Sequence, residues 1–267
     1  MDRLKGKVAV VIGAGQTPGE AIGNGRATVI RFVQEGASVL AVDRNVDSAR
    51  ESLAMAGGAD GAVFEADVTR SETLEAAINA AMSRWGRIDI LHYNVGVNVM
   101  GGEQTLDKMT EGVFDLINAI NLRGAIMAAK FVQPIMRKQR SGVLLNVASV
   151  TAIETFTHLV AYRASKAGML AFTKQFAMEN AEYGVRANAI LPGLMATSMS
   201  IDTRMRLSGR SREDIVEERS SKIPLRGVPG TGWDVANAAL FLASDEAAFI
   251  TGVELPVDGG TLARIGF

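Results

Sequence analysis

Tyr162 and Lys166 stand four residues apart in Tyr162-Arg163-Ala164-Ser165-Lys166, a spacing that puts both side chains on one face of a helix. A free phenol has a pKa near 10 and is a poor base at neutral pH, and a neighbouring ammonium favours its anion. Bringing such a phenol into the neutral range takes roughly 4 kcal/mol of differential stabilisation. The lysine must therefore be close and water partly excluded. By itself the pair is no more than a helix face. Ser149 adds a third polar group, at the end of the largely apolar run Val143-Leu144-Leu145-Asn146-Val147 and thirteen residues before Tyr162. Ligands of open α/β sheets bind beyond the carboxyl ends of strands, so this hydroxyl is expected at the edge of a pocket.

A second group of residues suits a dinucleotide. The run Gly13-Ala14-Gly15-Gln16-Thr17-Pro18-Gly19-Glu20-Ala21-Ile22-Gly23-Asn24-Gly25-Arg26 follows a short apolar strand. Glycines at a strand-to-helix turn let the backbone approach a pyrophosphate, which the helix N-terminus then holds. Asp43 ends the next predicted strand, where a carboxylate accepts hydrogen bonds from ribose hydroxyls and repels a 2′-phosphate. That favours NAD(H). Arg44 follows directly and offsets part of the repulsion, so NADP(H) stays open.

The elements that must carry these residues alternate along the chain. Strands are predicted at Val8–Ile12, Ser38–Val42, Gly61–Glu65, Ile88–Tyr93, Gly142–Val147, Val185–Leu191 and Val253–Pro256. Helical patterns lie between them at Arg26–Glu35, Ser71–Trp85, Met109–Lys138, Ala161–Tyr183 and Trp233–Ser244. Repeated strand–helix–strand order with nearly all-apolar strands implies an α/β fold, a doubly wound parallel sheet of about seven strands in one Rossmann-like domain covering residues 1–267. Residues 195–222 break the rhythm, methionine-rich and then charged. Long excursions in compact domains are commonly lids, and this segment is expected to be a substrate lid of one or two short helices.

Composition removes several function classes. The 267 residues carry 28 basic and 29 acidic side chains, so no cationic excess points to nucleic acid or an anionic membrane. Without cysteine there are no disulfides and no thiolate chemistry, and His92 and His158 are too far apart for a metal motif. No segment approaches the roughly 20 apolar residues of a membrane span, and no signal peptide is apparent, so a cytoplasmic location is expected. A serine hydrolase is unsupported, because no Gly-x-Ser-x-Gly elbow surrounds a serine.

Taken together, these motifs resemble the short-chain dehydrogenase/reductase family across nearly the whole chain. The Ser149, Tyr162 and Lys166 spacing matches, and Asn121 falls at the family's catalytic asparagine. The resemblance implies that Ser149 polarises a substrate carbonyl and Tyr162 transfers the proton. Lys166 would lower the tyrosine's pKa and bind the nicotinamide ribose, while Asn121 would support a proton relay through water. It also implies cofactor contacts from Gly13, Gly15, Gly23, Gly25, Asp67, Val68, Asn94, Gly96, Pro192, Gly193 and Thr197. Phe241-Leu242-Ala243-Ser244 and Val257-Asp258-Gly259-Gly260 are family-like as well. Two departures stand out. Gly13 and Gly23 are ten positions apart where the family has four, so either six residues loop out before Gly23 or Gly15 and Gly19 are the motif glycines. Tyr93 stands where the family often has asparagine. Ile22 occupies the position that is often basic in NADP-preferring members, which again favours NAD.

By position, Met100, Thr151, Ile153, Phe156, Met195 and Met199 are expected to line a largely apolar substrate pocket beside Ser149 and Tyr162, with Glu154 and His158 near polar groups or solvent. The reaction implied is interconversion of a secondary alcohol and a ketone with NAD(H). The alternatives are an NADPH-dependent reductase of 3-oxoacyl thioesters and a non-catalytic nucleotide-binding regulatory protein. The helix after Tyr162 carries Met169, Leu170, Phe172, Phe176 and Met178 on more than one face, and with the resemblance this implies a homodimer or homotetramer.

Overall fold

The computed structural model describes residues 2–57, 60–98, 105–155 and 159–264. Seven parallel strands form one sheet in the order β3-β2-β1-β4-β5-β6-β7. They are β1 (Val8–Ile12), β2 (Ser38–Asp43), β3 (Gly61–Glu65), β4 (Ile90–Tyr93), β5 (Gly142–Val147), β6 (Val185–Pro192) and β7 (Glu254–Val257). The helices are α1 (Asn24–Gln34), α2 (Val46–Ala56), α3 (Ser71–Trp85), α4 (Glu111–Asn118), α5 (Gly124–Gln139), α6 (Val160–Asn180), α7 (Asp202–Ser208), α8 (Arg212–Ser220) and α9 (Gly232–Ala243). Strands β1, β4 and β5 are buried along their whole length because helices cover both faces, and two apolar clusters fill the layers. Strand order reverses between β1 and β4. A crevice opens there at the carboxyl ends, where such folds bind ligands.

Two helical features depart from the periodicity. Helix α2 packs with Ser48, Ala49 and Ser52, small and partly polar residues that leave little apolar pattern. The single helix expected over Met109–Lys138 is interrupted by a π-helical turn at Ala119–Arg123 between α4 and α5. Tyr93, the residue that departs from the family pattern, accounts for part of this. Its hydroxyl donates to the Ile120 carbonyl at 2.5 Å, and Gly124 makes room for it, since a β-carbon there would overlap the phenol oxygen. Burial pushes the Tyr93 phenol well above its ordinary range.

His92, on β4, is fully buried edge-on to Phe32 at 6.1 Å, and neither ring nitrogen has a partner among the described residues. Burial holds its pKa at about 3 against 6.5 in an unfolded chain. Between those values the unfolded state binds a proton that the native state refuses, so stability present above pH 6.5 is lost as the pH falls toward 3. His92→Leu is therefore expected to resist acid better than the parent. At about pH 4.5 the gain is on the order of 2 kcal/mol from urea melts, shrinking toward neutrality. An equal change at both pH values would show that repacking, not protonation, sets the difference.

Candidate active site

A cavity of about 620 Å³ runs along the carboxyl ends of β1, β2, β4, β5 and β6. Every predicted site residue that is described lines it, with two exceptions, Asn121 and Ile153. Met100, Phe156 and His158 lie outside the described residues.

At one end the glycine turn meets helix α1. The helix begins at Asn24 with Gly23 as its N-cap and no side chain capping it, so its first amides face the cavity. Gly23 and Gly25 thus end the motif, and residues between Gly15 and Gly23 form the extra loop. Gly25 admits no side chain: a β-carbon would overlap the Gly13 carbonyl oxygen and come within 2.6 Å of Asn94 Nδ2. Asn94 in turn donates to that carbonyl at 3.0 Å. The extra loop folds back on itself, with Gln16 Oε1 accepting from Gly23 N at 3.0 Å. It also leans on the segment after β6. Ser198 Oγ donates to the Ala21 carbonyl at 2.7 Å, and Gly19 packs so closely on the Asp202 carboxylate that a side chain would overlap it.

Asp43 does more than the sequence indicated. Its Oδ2 accepts from Gly15 N at 2.8 Å and its Oδ1 from Asn45 N at 2.9 Å, so it anchors the glycine turn and the start of α2. A carboxylate has about four acceptor positions, which leaves capacity for a ligand hydroxyl. Nearby, Asp67 Oδ1 accepts from the backbone and hydroxyl of Thr69 at 2.9 and 2.7 Å, and these bonds, with Arg44 and Arg70, hold its carboxyl below the usual range. An uncapped helix terminus, close backbone approach at Gly25 and a carboxylate at the second strand end fit a dinucleotide.

At the other end Ser149 follows β5, and Tyr162 and Lys166 lie on α6. The Ser149 hydroxyl donates to Thr151 Oγ1 at 3.0 Å and accepts from Thr151 N at 3.1 Å, and its nearness to the Tyr162 phenol favours the anion. Lys166 is almost fully buried. Its Nζ donates to the Val147 carbonyl at 2.7 Å and sits 5.8 Å from the centre of the Tyr162 ring. Gly96 gives it room, with a β-carbon there falling 3.1 Å from Nζ.

Burial dominates the electrostatics of these two groups. Burial raises the Tyr162 phenol above its ordinary value, with Ser149 acting in the opposite sense, and lowers the Lys166 ammonium to about 7. A phenol poised for proton transfer needs further positive charge or hydrogen bonding in the cavity.

Asn121 does not line the cavity. It lies behind the wall, where its Oδ1 accepts from Val97 N at 2.8 Å and its Nδ2 donates to Val97 O and Ser165 Oγ, both at 3.0 Å. Its amide is thereby committed to holding the segment after β4 against α6. Ile153 is also displaced from its expected place, being about half exposed and absent from the cavity wall. Met195 reaches the wall, but its methyl group is packed over Gly230. Leu116 and Leu159 supply apolar wall that the spacing did not indicate, and Arg204 and Arg219 supply charge. Their positions depend on how α4, α7 and α8 fold back, for which no local motif exists.

Among the described residues, no group of three potential metal ligands occurs and no helix is long and apolar enough to cross a membrane.

A family model described as Enoyl-(Acyl carrier protein) reductase matches residues 19–261. The chain belongs to the short-chain dehydrogenase/reductase family, whose members are oxidoreductases that bind NAD(P)(H). It is 37% identical to a 3-oxoacyl-[acyl-carrier-protein] reductase FabG of Thermotoga maritima over 97% of this chain and 98% of that protein. It is 35% identical to a 3beta-hydroxysteroid dehydrogenase of Eggerthella lenta, covering 100% of this chain and 97% of that one. A crystal structure from Burkholderia xenovorans, described as a short-chain dehydrogenase/reductase, superposes with a TM-score of 0.92 at 40% identity and full coverage of both chains.

Proposed function

We propose that the protein interconverts a secondary alcohol and a ketone with NAD(H) as its preferred cofactor. The observation that carries this reading is the placement of Ser149, Tyr162 and the buried Lys166 on one wall of a dinucleotide-sized cavity whose far end presents Asp43. When bound, the nicotinamide supplies or accepts the hydride. The protein's own residues orient the substrate and manage the proton. Ser149 donates to the substrate oxygen, and Tyr162 gives that oxygen a proton in reduction or takes it in oxidation. Lys166, held by the Val147 carbonyl, stabilises the phenolate by charge. Asn121 acts as a positioning residue through Val97 and Ser165. Segment 195–222, with α7 and α8, serves as the lid that excludes water. The subunits pair as a homodimer or homotetramer, for which Met178, exposed on α6, offers apolar surface.

The test is a panel of secondary alcohols and ketones followed by NADH or NADPH absorbance. Turnover of at least one pair with a preference for NAD(H) is expected, and no turnover with either cofactor sinks the reading. Asp43→Ser is expected to bring the kcat/KM values for the two cofactors within about tenfold of each other, by removing a charge worth on the order of 1–2 kcal/mol at that site. An unchanged ratio removes Asp43 from selection. The T. maritima relative favours a second reading, reduction of 3-oxoacyl thioesters with NADPH. Faster NADPH consumption with such a thioester than with any simple ketone would select it.

A further inference from the structure

Thr151 holds the Ser149 hydroxyl on two sides: its amide donates to Ser149 Oγ at 3.1 Å, and its own Oγ1 lies 3.0 Å away. Thr151 is 6% exposed, and among the described residues its hydroxyl has no hydrogen-bond partner except Ser149. A hydroxyl carries one proton and two acceptor positions, so a contact of this length serves in either direction. The two directions are not equivalent. While Ser149 donates to Thr151, it has no proton left for a ligand, and the Thr151 proton has no acceptor among the described residues. A buried donor without an acceptor is unfavourable. Turning both hydroxyls round removes both defects. Thr151 then donates to Ser149, and the single Ser149 proton is released toward the cavity that both residues line. A hydroxyl that accepts two bonds is also a stronger donor, because chained hydrogen bonds polarise one another. Ser149 lies close enough to Tyr162 to favour its anion, so the freed proton and the phenol serve the same substrate oxygen.

We propose that Thr151 is a positioning residue for the reaction: its hydroxyl donates to Ser149 and thereby commits the Ser149 proton to the substrate oxygen. This rests on the oxidoreductase reading above and adds to it the residue that sets the direction of the Ser149 bond. Only hydroxyl hydrogens need to turn, and no covalent bond forms or breaks. Ser149 caps the single turn Val150–Ala152 through the Thr151 amide, so both oxygens stay in place while the protons reorient.

A double-mutant cycle tests this, with a ketone that the parent enzyme reduces and NADH. Thr151→Val is expected to lower kcat about tenfold with KM changed less than about threefold, and Thr151→Ser to keep most of the rate. Ser149→Ala is expected to lower kcat about a hundredfold, and the double variant to match it within about twofold. Should Thr151→Val fail to fold, Thr151→Ala takes its place in the cycle. Losses that multiply to about a thousandfold overturn the proposal, because Thr151 then acts on the substrate or the fold independently of Ser149. So does a Thr151→Ser variant as slow as Thr151→Val. A second measurement needs no turnover: the infrared carbonyl stretch of isotope-labelled cyclohexanone bound to the enzyme–NAD⁺ complex. A donor on the oxygen lowers that frequency, and Thr151→Val is expected to raise it toward the Ser149→Ala value while Thr151→Ser keeps it low. Equal frequencies in the parent and Thr151→Val overturn the proposal. The expected shift in an enzyme that turns over no alcohol or ketone sinks the oxidoreductase reading alone.

Discussion

Tyr162→Phe is expected to lower kcat on the order of 10²–10⁴-fold, the range for removing a positioned acid–base group, while NADH affinity stays nearly unchanged. The substitution deletes one oxygen. The ring keeps its buried place on α6, and Lys166 keeps its bond to the Val147 carbonyl, so the cavity wall survives. What is lost is the proposed proton donor. Because burial raises the phenol, the parent enzyme's oxidation rate should rise with pH as the phenolate forms, and the residual rate of Tyr162→Phe should not follow that profile. Single-turnover kinetics with fluorescence titration of NADH separate the two effects. Near-parental turnover, or a pH profile shared by both proteins, would remove Tyr162 from the mechanism.

Gly25→Ala is the second large effect, and it acts on binding. The added methyl has nowhere to go, since it overlaps the Gly13 backbone carbonyl and crowds the Asn94 amide that is bonded to that carbonyl. Either α1 shifts away from β1 or the glycine turn opens. Overpacking of this kind costs about 3 kcal/mol, and if the shift is taken at the helix start it appears as roughly a hundredfold weaker dinucleotide affinity. Gly112→Ala is the control, because a β-carbon there, in the first turn of α4, meets nothing within 4 Å. That change is expected to be neutral or to stabilise by about 0.5–1 kcal/mol. Calorimetric titration with NADH and thermal melts of both variants decide the matter. Equal behaviour of the two alanine variants would show that the turn tolerates the volume and that the cofactor reading of Gly25 is mistaken.

Much of the fold was legible in the residue order, because its signals are local. Seven short apolar runs separated by helical patterns can be buried on both faces only as a parallel sheet, and the strand ends then place Gly13, Asp43, Asn94, Ser149 and Pro192 along one edge. Tyr162 and Lys166 share a face of α6 by helical geometry alone. The ten-residue spacing from Gly13 to Gly23 allowed two registers. Only the packing of Gly25 onto Gly13 and of the extra loop onto Ser198 and Asp202 selected one.

Other features were decided by the tertiary structure because they depend on what each side chain meets from distant elements. The π-helical turn around Asn121 follows from Tyr93 on β4 and Val97 beyond it, neither of which is near in sequence. The same burial that encloses the reacting groups raises the phenol and lowers the lysine to about 7, opposite to what an ammonium one turn away suggests in isolation. Arg204 and Arg219 read as ordinary charges on a polar segment until α7 and α8 fold their guanidiniums against the cavity. Periodicity reports which face of an element is buried. Desolvation and charge proximity are properties of the assembled volume, and only the folded chain sets them.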